Sequence, residues 1–328
     1  MINATKKPSF VVHLDGYFDN PTGDFAIERE AVEQAGGVFV ADRDREQARR
    51  LARDATVVMF RAEAIDRCFI DGLKHCRALV RYGIGLDKVD IPAATARGIA
   101  VCNVPDFCTQ EMADHTMAMA LPLFRHLNEY GNAAKAGDWK LTRELPLRSA
   151  ESCCFGTVGF GRIAQAVLQR AGAFAFRLIA SDPFVEPETM QAQGVQDVGL
   201  DELFATADIV SLHCPLTDET EGLVDRQRLA SMRPDTVLIN TSRGGLVDTE
   251  ALSQALAAGR LGGAGLDVTD PEPLPAGHRL YSFTNVIISP HMAWYSEQAD
   301  VRLKQYAARE AARALLGEPL HYQRNETI

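Results

Sequence analysis

Short apolar runs alternate with longer amphipathic segments through the first hundred residues. The runs are rich in Val, Ile, Leu or Phe, as buried strands of a parallel sheet are, and the segments between them carry apolar residues at helical spacing. The alternation predicts a parallel sheet with helices on both faces. The predicted strands are 9–14, 38–40, 55–60, 78–81 and 99–102, and the predicted helices are 24–35, 43–53, 65–74 and 90–97.

The alternation stops after residue 103 and restarts at Cys153. The spacing predicts a long helix over 107–128, followed by an irregular passage over 130–152 that contains Trp139 and Pro146. Two α/β units are therefore expected: residues 104–295 form one, inserted in the other, 1–103 with 296–328, if the last helix folds back on the first sheet. Further strands are predicted from 153 and at 178–181, 209–213, 237–240, 264–268 and 286–289, and a final helix at about 296–316.

A glycine-rich turn follows the first strand of the inserted unit. Gly159, Gly161 and Ala164 form the pattern Gly-x-Gly-x-x-Ala between an apolar run and a helical segment. Gly159 permits a tight turn, Gly161 allows a pyrophosphate to approach the backbone, and Ala164 allows close helix–strand packing. Asp182 ends the next strand, where a carboxylate can accept hydrogen bonds from a ribose. This context predicts a dinucleotide-binding site rather than a simple loop.

Composition and charge limit the classes of binding partner expected for this protein. The chain has 328 residues and a net charge of −10, which argues against a nucleic-acid-binding surface. Seven cysteines without metal-ligand spacing are typical of the reduced thiols of a cytoplasmic protein. The amino-terminal residues lack the apolar segment of a signal peptide, and no apolar run has membrane-spanning length. These features favour a cytoplasmic protein that binds small molecules, without a metal, a membrane or nucleic acid.

Polar side chains follow three predicted strands of the inserted unit, at the edge where open α/β sheets bind ligands. Arg243 precedes a glycine pair and could grip a carboxylate with both ends of its guanidinium, although it could instead cap the next helix. His291 follows an apolar strand and could donate a proton to a carbonyl oxygen, although many such histidines are structural. A carboxylate could orient the ring, and spacing alone leaves three candidates open: Asp267, Asp270 and Glu272.

Other polar residues have simpler interpretations. His115 and His126, on the long predicted helix, are expected to be packing or surface residues. His213, Cys214 and Pro215 end a strand, where backbone contact with a cofactor is more plausible than acid–base chemistry or a nucleophilic thiol. The Arg-rich segment 43–53 is expected to be a solvated helix face.

Together these residues resemble the D-isomer-specific 2-hydroxyacid dehydrogenase family over essentially the whole chain. Within this family, the sequences of residues 98–105 and 290–299 are most similar to the C-terminal-binding-protein branch. The third fingerprint glycine is replaced by Ala164. The matching motifs are RYGIGLDKVD at 81–90, GFGRIA at 159–164, NTSRGGLVD at 240–248, GLDV at 265–268 with Glu272-Pro273, and SPH at 289–291.

The resemblance implies a role for each matched residue. His291 would be the acid/base, Glu272 the carboxylate that orients it, and Arg243 the clamp on the substrate carboxylate. Asp267 would bind the nicotinamide carboxamide. The substrate-binding residues implied are Arg81, Gly83, Ile84 and Trp294. The cofactor-binding residues expected are Gly159, Gly161, Arg162, Ile163, Asp182, His213, Cys214, Pro215, Thr241, Ser242, Asp267 and Ile84.

The implied activity is NAD-dependent interconversion of a 2-oxoacid and a D-2-hydroxyacid by a homodimer. Asp182 favours NAD over NADP because a carboxylate repels a 2′-phosphate. Glu272 argues against a formate dehydrogenase, whose family position holds Gln, and the absence of a regulatory domain after residue 328 makes a phosphoglycerate dehydrogenase less favoured. The alternative is an NAD(H)-responsive, corepressor-like binding protein with weak or vestigial turnover.

Overall fold

The structure is a computed structural model that describes residues 9–17, 20, 23–140 and 147–327. Its strands are β1 Phe10–His13, β2 Val38–Ala41, β3 Val57–Phe60, β4 Ala78–Arg81, β5 Ala100–Cys102, β6 Cys154–Val158, β7 Arg177–Ser181, β8 Gln196–Asp197, β9 Ile209–Leu212, β10 Val237–Asn240, β11 Gly263–Leu266 and β12 Val286–Ile288. Its α-helices are α1 Ala26–Gln34, α2 Arg45–Ala52, α3 Arg67–Asp71, α4 Ile91–Ala96, α5 Thr109–Phe124, α6 Leu127–Lys135, α7 Arg162–Ala173, α8 Pro187–Gln191, α9 Leu200–Thr206, α10 Arg226–Ser231, α11 Thr249–Ala257 and α12 Glu297–Leu316.

The chain divides into two compact units. Unit 1 comprises Met1–Phe107 with Ser296–Ile328, and unit 2 comprises Cys108–Tyr295. Both contain a parallel α/β sheet, so the predicted fold class is confirmed. None of the helices in the described residues is both long and apolar enough to cross a membrane.

Unit 1 has a five-stranded sheet in the order β2-β1-β3-β4-β5, which is the flavodoxin-like order. Buried aliphatic residues of β1, β3 and β4 form its centre, and α12 packs against α1 and against β4. Ser296 caps α12 by accepting a hydrogen bond from the Ala299 N–H at 2.9 Å, and Gly317 ends the helix in the left-handed conformation. The strand order changes direction between β1 and β3, so the carboxyl ends of these strands form this sheet's switch point.

Unit 2 has a seven-stranded sheet in the order β12-β11-β10-β9-β6-β7-β8. All residues of β6, β9, β10 and β11 are buried, as expected for central strands covered on both faces. The chain leaves β6 toward β7 on one side and reaches β9 on the other, so the switch point lies between β6 and β9. α5 packs against α7 and across β10 and β11.

The central region of the sequence differs from the prediction. The helix expected over 107–128 ends at Phe124, and His126 adopts a left-handed conformation before α6 begins at Leu127. Part of the passage expected to be irregular is therefore helical, since α6 extends to Lys135. The apolar periodicity of 107–128 did not show this break because Leu127 continues the spacing although it is exposed. Pro146 lies outside the described residues.

Candidate active site

The glycine turn of unit 2 lies at the switch point of its sheet. Gly159 follows β6 with φ of +98°, and a Cβ at this position would lie 3.0 Å from the carbonyl oxygen of His213, which follows β9. The His213 N–H donates to the Val158 carbonyl at 2.8 Å and holds the two strand ends together. Only glycine fits both the backbone conformation and this close approach. The predicted backbone contact of His213 with a cofactor stays a prediction, and this contact places the residue beside the glycine turn.

The start of α7 offers backbone donors to an anion. Gly161 is its N-cap, and within the described residues no side chain caps the helix; a Cβ on Gly161 would meet no atom within 4 Å. Open space, unprotected N–H groups and the helix dipole suit a pyrophosphate. Arg162 and Ile163 form the first turn of this helix. The residues present therefore fit a dinucleotide.

Asp182 accepts hydrogen bonds from the backbone of this loop. Its Oδ2 accepts a hydrogen bond from the Phe160 N–H at 2.8 Å, and its Oδ1 accepts one from the Phe184 N–H at 3.0 Å. The carboxylate thus fixes the glycine turn and the end of β7, and each oxygen retains a lone pair for a further donor. Sequence position indicated the carboxylate but not these two contacts.

His291 and Glu272 form a hydrogen-bonded pair. The His291 Nδ1 lies 2.7 Å from Glu272 Oε1, and the two side chains are 46% and 45% exposed. The hydrogen bond from His291 lowers the pKa of Glu272, and the nearby positive charge of Arg243 acts in the same direction. Of the three carboxylates that spacing left open, Glu272 is the one that contacts the imidazole Nδ1.

A close backbone contact brings Arg243 near the Glu272–His291 pair. β10 ends at Asn240, whose Nδ2 donates to the Arg243 carbonyl at 2.8 Å. A Cβ on Gly244 would lie 2.0 Å from the Thr269 carbonyl oxygen, in the segment that leads to Glu272. Only glycine permits the two segments to approach so closely, and this explains the position of the glycine after Arg243.

Asp267 is buried, with its side chain 1% exposed. Its Oδ1 accepts hydrogen bonds from the Ser289 hydroxyl at 2.5 Å and the Met292 N–H at 2.9 Å. Its Oδ2 accepts one from the Ala293 N–H at 2.9 Å. The carboxylate therefore binds the turn that carries His291, which spacing did not indicate.

Two residues of α5 contact the residues that directly follow β12 and β10. His115 Nε2 lies 2.9 Å from the Ser289 hydroxyl, and Thr116 Oγ1 lies 3.2 Å from Thr241 Oγ1. The interpretation of His115 as a packing or surface residue is thus incomplete. Because β10, β11 and β12 pair in register, the residues that follow them are neighbours, but sequence spacing gives no indication that α5 contacts them.

The remaining predicted residues lie at the edges of their own units. In unit 2, Ser242 Oγ donates to the Leu212 carbonyl at 2.8 Å, and burial raises the pKa of the Cys214 thiol to about 11, which does not favour a nucleophile. Trp294 donates from Nε1 to the His291 carbonyl at 3.1 Å. Pro215 is exposed. In unit 1, Arg81 is the last residue of β4, and Gly83 and Ile84 follow the strand.

The family model described as "D-isomer specific 2-hydroxyacid dehydrogenase, NAD binding domain" matches residues 117–293, more than half of the chain. The chain belongs to the D-isomer specific 2-hydroxyacid dehydrogenase family. The match covers the glycine turn, Asp182, Arg243, Glu272 and His291, so the family recognised from sequence motifs is confirmed. The family's cofactor, NAD, is the dinucleotide that the turn after β6 fits.

Individual relatives extend the likeness beyond the NAD-binding domain. A D-3-phosphoglycerate dehydrogenase of Synechocystis is 36% identical over 263 residues, 80% of this chain and 47% of that protein. The chain spans about half the length of the curated relatives it matches. The TT0316 protein of Thermus thermophilus is 34% identical, with a TM-score of 0.80 over 96% of this chain and 99% of that one. The D-lactate dehydrogenase of Aquifex aeolicus has a TM-score of 0.83 at 24% identity over 94% and 96%, a likeness of fold.

Proposed function

We propose that this protein is an NAD-dependent D-2-hydroxyacid dehydrogenase that reduces a 2-oxoacid. The observation that carries the proposal is the Glu272–His291 pair at 2.7 Å, with Arg243 close enough to act on the pKa of Glu272. An accessible imidazole oriented by a carboxylate is the arrangement that proton transfer to a carbonyl requires. Family membership supports the same reaction class.

Glu272 sets the proton arrangement of the imidazole. Because its pKa is lowered, Glu272 is a carboxylate at neutral pH and accepts the Nδ1–H of His291. Nε2 of His291 is then the nitrogen that exchanges a proton with the substrate oxygen. As hydride reaches the carbonyl carbon, Nε2–H gives its proton to the oxygen, and Glu272 stabilises the imidazolium before transfer. NADH, when bound, would supply the hydride, and the product would be the hydroxyacid.

Arg243 would hold the substrate carboxylate in a two-point contact, which fixes the carbonyl relative to His291. Arg81, Gly83 and Ile84 are proposed as further substrate contacts, and Ile84 also as a cofactor contact. The Val104 N–H donates to the Gly83 carbonyl at 2.9 Å, and Asn103 Nδ2 donates to the Ile84 carbonyl at 2.6 Å. These bonds hold the loop in one conformation. Trp294 would favour an apolar or thioether side chain on the oxoacid.

The cofactor would be held by residues of unit 2. Gly161, Arg162 and Ile163 would bind the pyrophosphate, Asp182 the adenosine ribose, and the backbone of 213–215 the nucleotide beside Gly159. We expect Thr241 and Ser242 to line the same edge. Asp267 would offer its Oδ2, which accepts one hydrogen bond from Ala293, to the carboxamide.

We propose that the protein forms a homodimer whose interface includes the surface of α6. None of the described residues of α6 is buried, although Leu127 is apolar, and Trp139, which follows the helix in the sequence, is 88% exposed. Covering such residues favours association. Light scattering should give a dimer for the wild type and more monomer for Leu127→Asp. The control Val301→Asp, on α12, should remain dimeric.

The seven free cysteines are consistent with a reducing, cytoplasmic location.

The test of the proposed function is an assay of NADH oxidation with a panel of 2-oxoacids: aliphatic, aromatic, thioether, dicarboxylic and, because of the phosphoglycerate dehydrogenase relatives, phosphorylated. We expect turnover that Arg243→Ala and His291→Ala abolish. A pocket governed by Trp294 should lose its apolar substrates selectively in Trp294→Ala. Absence of turnover across the panel would refute the enzyme and favour the alternative, an NAD(H)-responsive, corepressor-like binding protein.

A further inference from the structure

A chain of hydrogen bonds runs from α5 to the turn that carries His291. His115 Nε2 lies 2.9 Å from Ser289 Oγ, and Ser289 Oγ lies 2.5 Å from Asp267 Oδ1. The direct separation of His115 Nε2 and Asp267 Oδ1 is 3.8 Å, so the hydroxyl connects them. His115 lies outside the set of residues to which the proposed mechanism gives a role.

The direction of these bonds follows from the protons available. The Asp267 carboxylate accepts from the Ser289 hydroxyl and from the N–H groups of Met292 and Ala293. A hydroxyl has one proton, and Ser289 donates it to Asp267. Ser289 Oγ must therefore accept from His115, so the ring carries its proton on Nε2. His115 is thus a donor that fixes the rotation of the Ser289 hydroxyl.

The other end of this series of hydrogen bonds is the backbone of His291 and of the two residues that follow it. Its N–H donates to the Asp267 carbonyl at 2.9 Å, and the next two N–H groups donate to the Asp267 carboxylate. His291 itself has φ of +52°, a conformation that residues other than glycine rarely adopt. The bonds to Asp267 hold the residue in this conformation, and its side chain consequently faces Glu272.

We propose that His115 is a positioning residue for the reaction, acting through Ser289 and Asp267 on the turn of His291. This role rests on the proposed function. It predicts that a donor at position 115 matters more than bulk, because a Ser289 hydroxyl without its donor is free to rotate away from Asp267. The turn would then be held by fewer bonds, and the imidazole would be placed less accurately for proton transfer.

The test compares His115→Gln, which keeps an N–H donor, with His115→Leu, which keeps bulk and removes the donor. We expect the kcat of oxoacid reduction to fall about tenfold in His115→Leu and less than about threefold in His115→Gln, with the KM for the oxoacid changed less than about twofold in both. Replacement of the exposed His75 of unit 1 by Gln is the control for loss of a histidine and should change neither constant.

A double-mutant cycle locates the effect. In a Ser289→Ala background, His115→Leu should lower kcat by less than about twofold further, because the bond that it breaks is already absent. Equal activity of the Leu and Gln variants, or full multiplication of the two losses, would overturn the proposal.

A second readout does not depend on turnover. In the cofactor-free protein, hydrogen exchange of the amides of residues 291–293 should be faster in His115→Leu than in the wild type and should be restored in His115→Gln. Unchanged exchange in the Leu variant would contradict the positioning role even if the protein proved to have no dehydrogenase activity. Faster exchange without any wild-type turnover would instead keep the hydrogen-bonded chain and refute only the proposed function.

Discussion

The carboxyl ends of the two sheets carry the same kinds of polar side chains in opposite settings. Unit 2 has Glu272 hydrogen bonded to His291, each almost half exposed. Unit 1 has Glu28, 2% exposed, which accepts from the Tyr82 hydroxyl at 3.0 Å, and the buried His13, whose Nδ1 lies 3.6 Å from Asp15. Burial lowers the pKa of His13 to about 4 and raises the pKa of Glu28. Solvent access, not residue type, makes one edge suitable for proton exchange and the other structural.

Two aspartates that bind loops near the switch points show the same contrast. Asp15 of unit 1 is buried and accepts hydrogen bonds from three successive N–H groups, those of 61–63, at 2.5 to 3.0 Å. Asp182 of unit 2 is partly exposed and accepts from two N–H groups, those of Phe160 and Phe184. Both carboxylates fix a loop after a strand, but only the second retains access for a ligand donor.

The largest effect is expected from Asp15→Ala, which leaves three N–H groups without an acceptor. Each lost bond to a carboxylate costs about 1–3 kcal/mol, so the free energy of unfolding should fall by about 4 kcal/mol. Urea denaturation measures the change. The control is Asp66→Ala, where an exposed N-cap accepts from one N–H, that of Phe69, and its loss should cost about 1 kcal/mol. Equal losses in the two variants would contradict the structural assignment of Asp15.

The second prediction replaces a carboxylate by an amide at the carboxyl edge of each sheet, with Glu272→Gln in unit 2 and Glu28→Gln in unit 1. Glu272→Gln removes the charge that stabilises the protonated His291, so kcat at neutral pH should fall about 100-fold. The free energy of unfolding should hardly change, because the pair is exposed. Steady-state kinetics and urea denaturation on the same preparation measure both quantities.

The matched variant is Glu28→Gln. Its amide oxygen can still accept from Tyr82, and a buried carboxylate whose pKa is raised by desolvation is removed. We expect kcat to stay within about twofold and stability to be unchanged or to rise by about 1 kcal/mol. A large loss of kcat in Glu28→Gln, with little in Glu272→Gln, would reverse the comparison.

The third prediction concerns pH and His13. Its pKa of about 4 in the folded protein lies below the unfolded value of 6.5, so the unfolded state binds more protons between these values. Stability must therefore fall as pH decreases below 6.5. The contribution is about 2 kcal/mol at pH 5. The groups that act on His13 are Asp15, which favours its charged form, and Arg61, which opposes it.

His13→Phe, which keeps a ring between Phe25 and Tyr82, should remove this part of the pH dependence. Glu28 contributes with the opposite sign, since its folded pKa is raised and acid relieves its desolvation. The difference between the wild-type and variant curves of unfolding free energy isolates His13. Parallel curves from pH 7.5 to 5 would show that the imidazole is not held neutral.

The sequence was most informative where local chemistry and local conformation coincide. Gly159 and Asp182 lie on adjacent elements whose apolar patterns predict a strand, a turn and a helix, and the alternation of strands placed Arg243 and His291 at one sheet edge. Glu272 was distinguished from its neighbours only by family resemblance. The choice depends on the path of 269–272 past Gly244, a contact between distant segments that has no local pattern.

Contacts from the helices were less accessible to prediction. The apolar spacing of α5 shows which face packs on the sheet but not which strand end meets His115 or Thr116. That choice depends on the sheet order, in which the strands nearest α5 are distant in sequence. Asp15 illustrates the same limit in unit 1, because its three N–H partners lie more than forty residues away.

The smallest predicted effect concerns cofactor choice at Asp182. Asp182→Asn keeps an oxygen that can accept from Phe160 or Phe184 and removes the negative charge. The preference for NADH over NADPH in kcat/KM should therefore decrease by about tenfold, equivalent to about 1.4 kcal/mol of lost repulsion toward a 2′-phosphate. Asp201→Asn makes the same charge change at the exposed carboxylate beside Arg228 and should leave the ratio unaltered. A wild-type preference for NADPH of tenfold or more would show that Asp182, like Asp15, serves only to hold its loop.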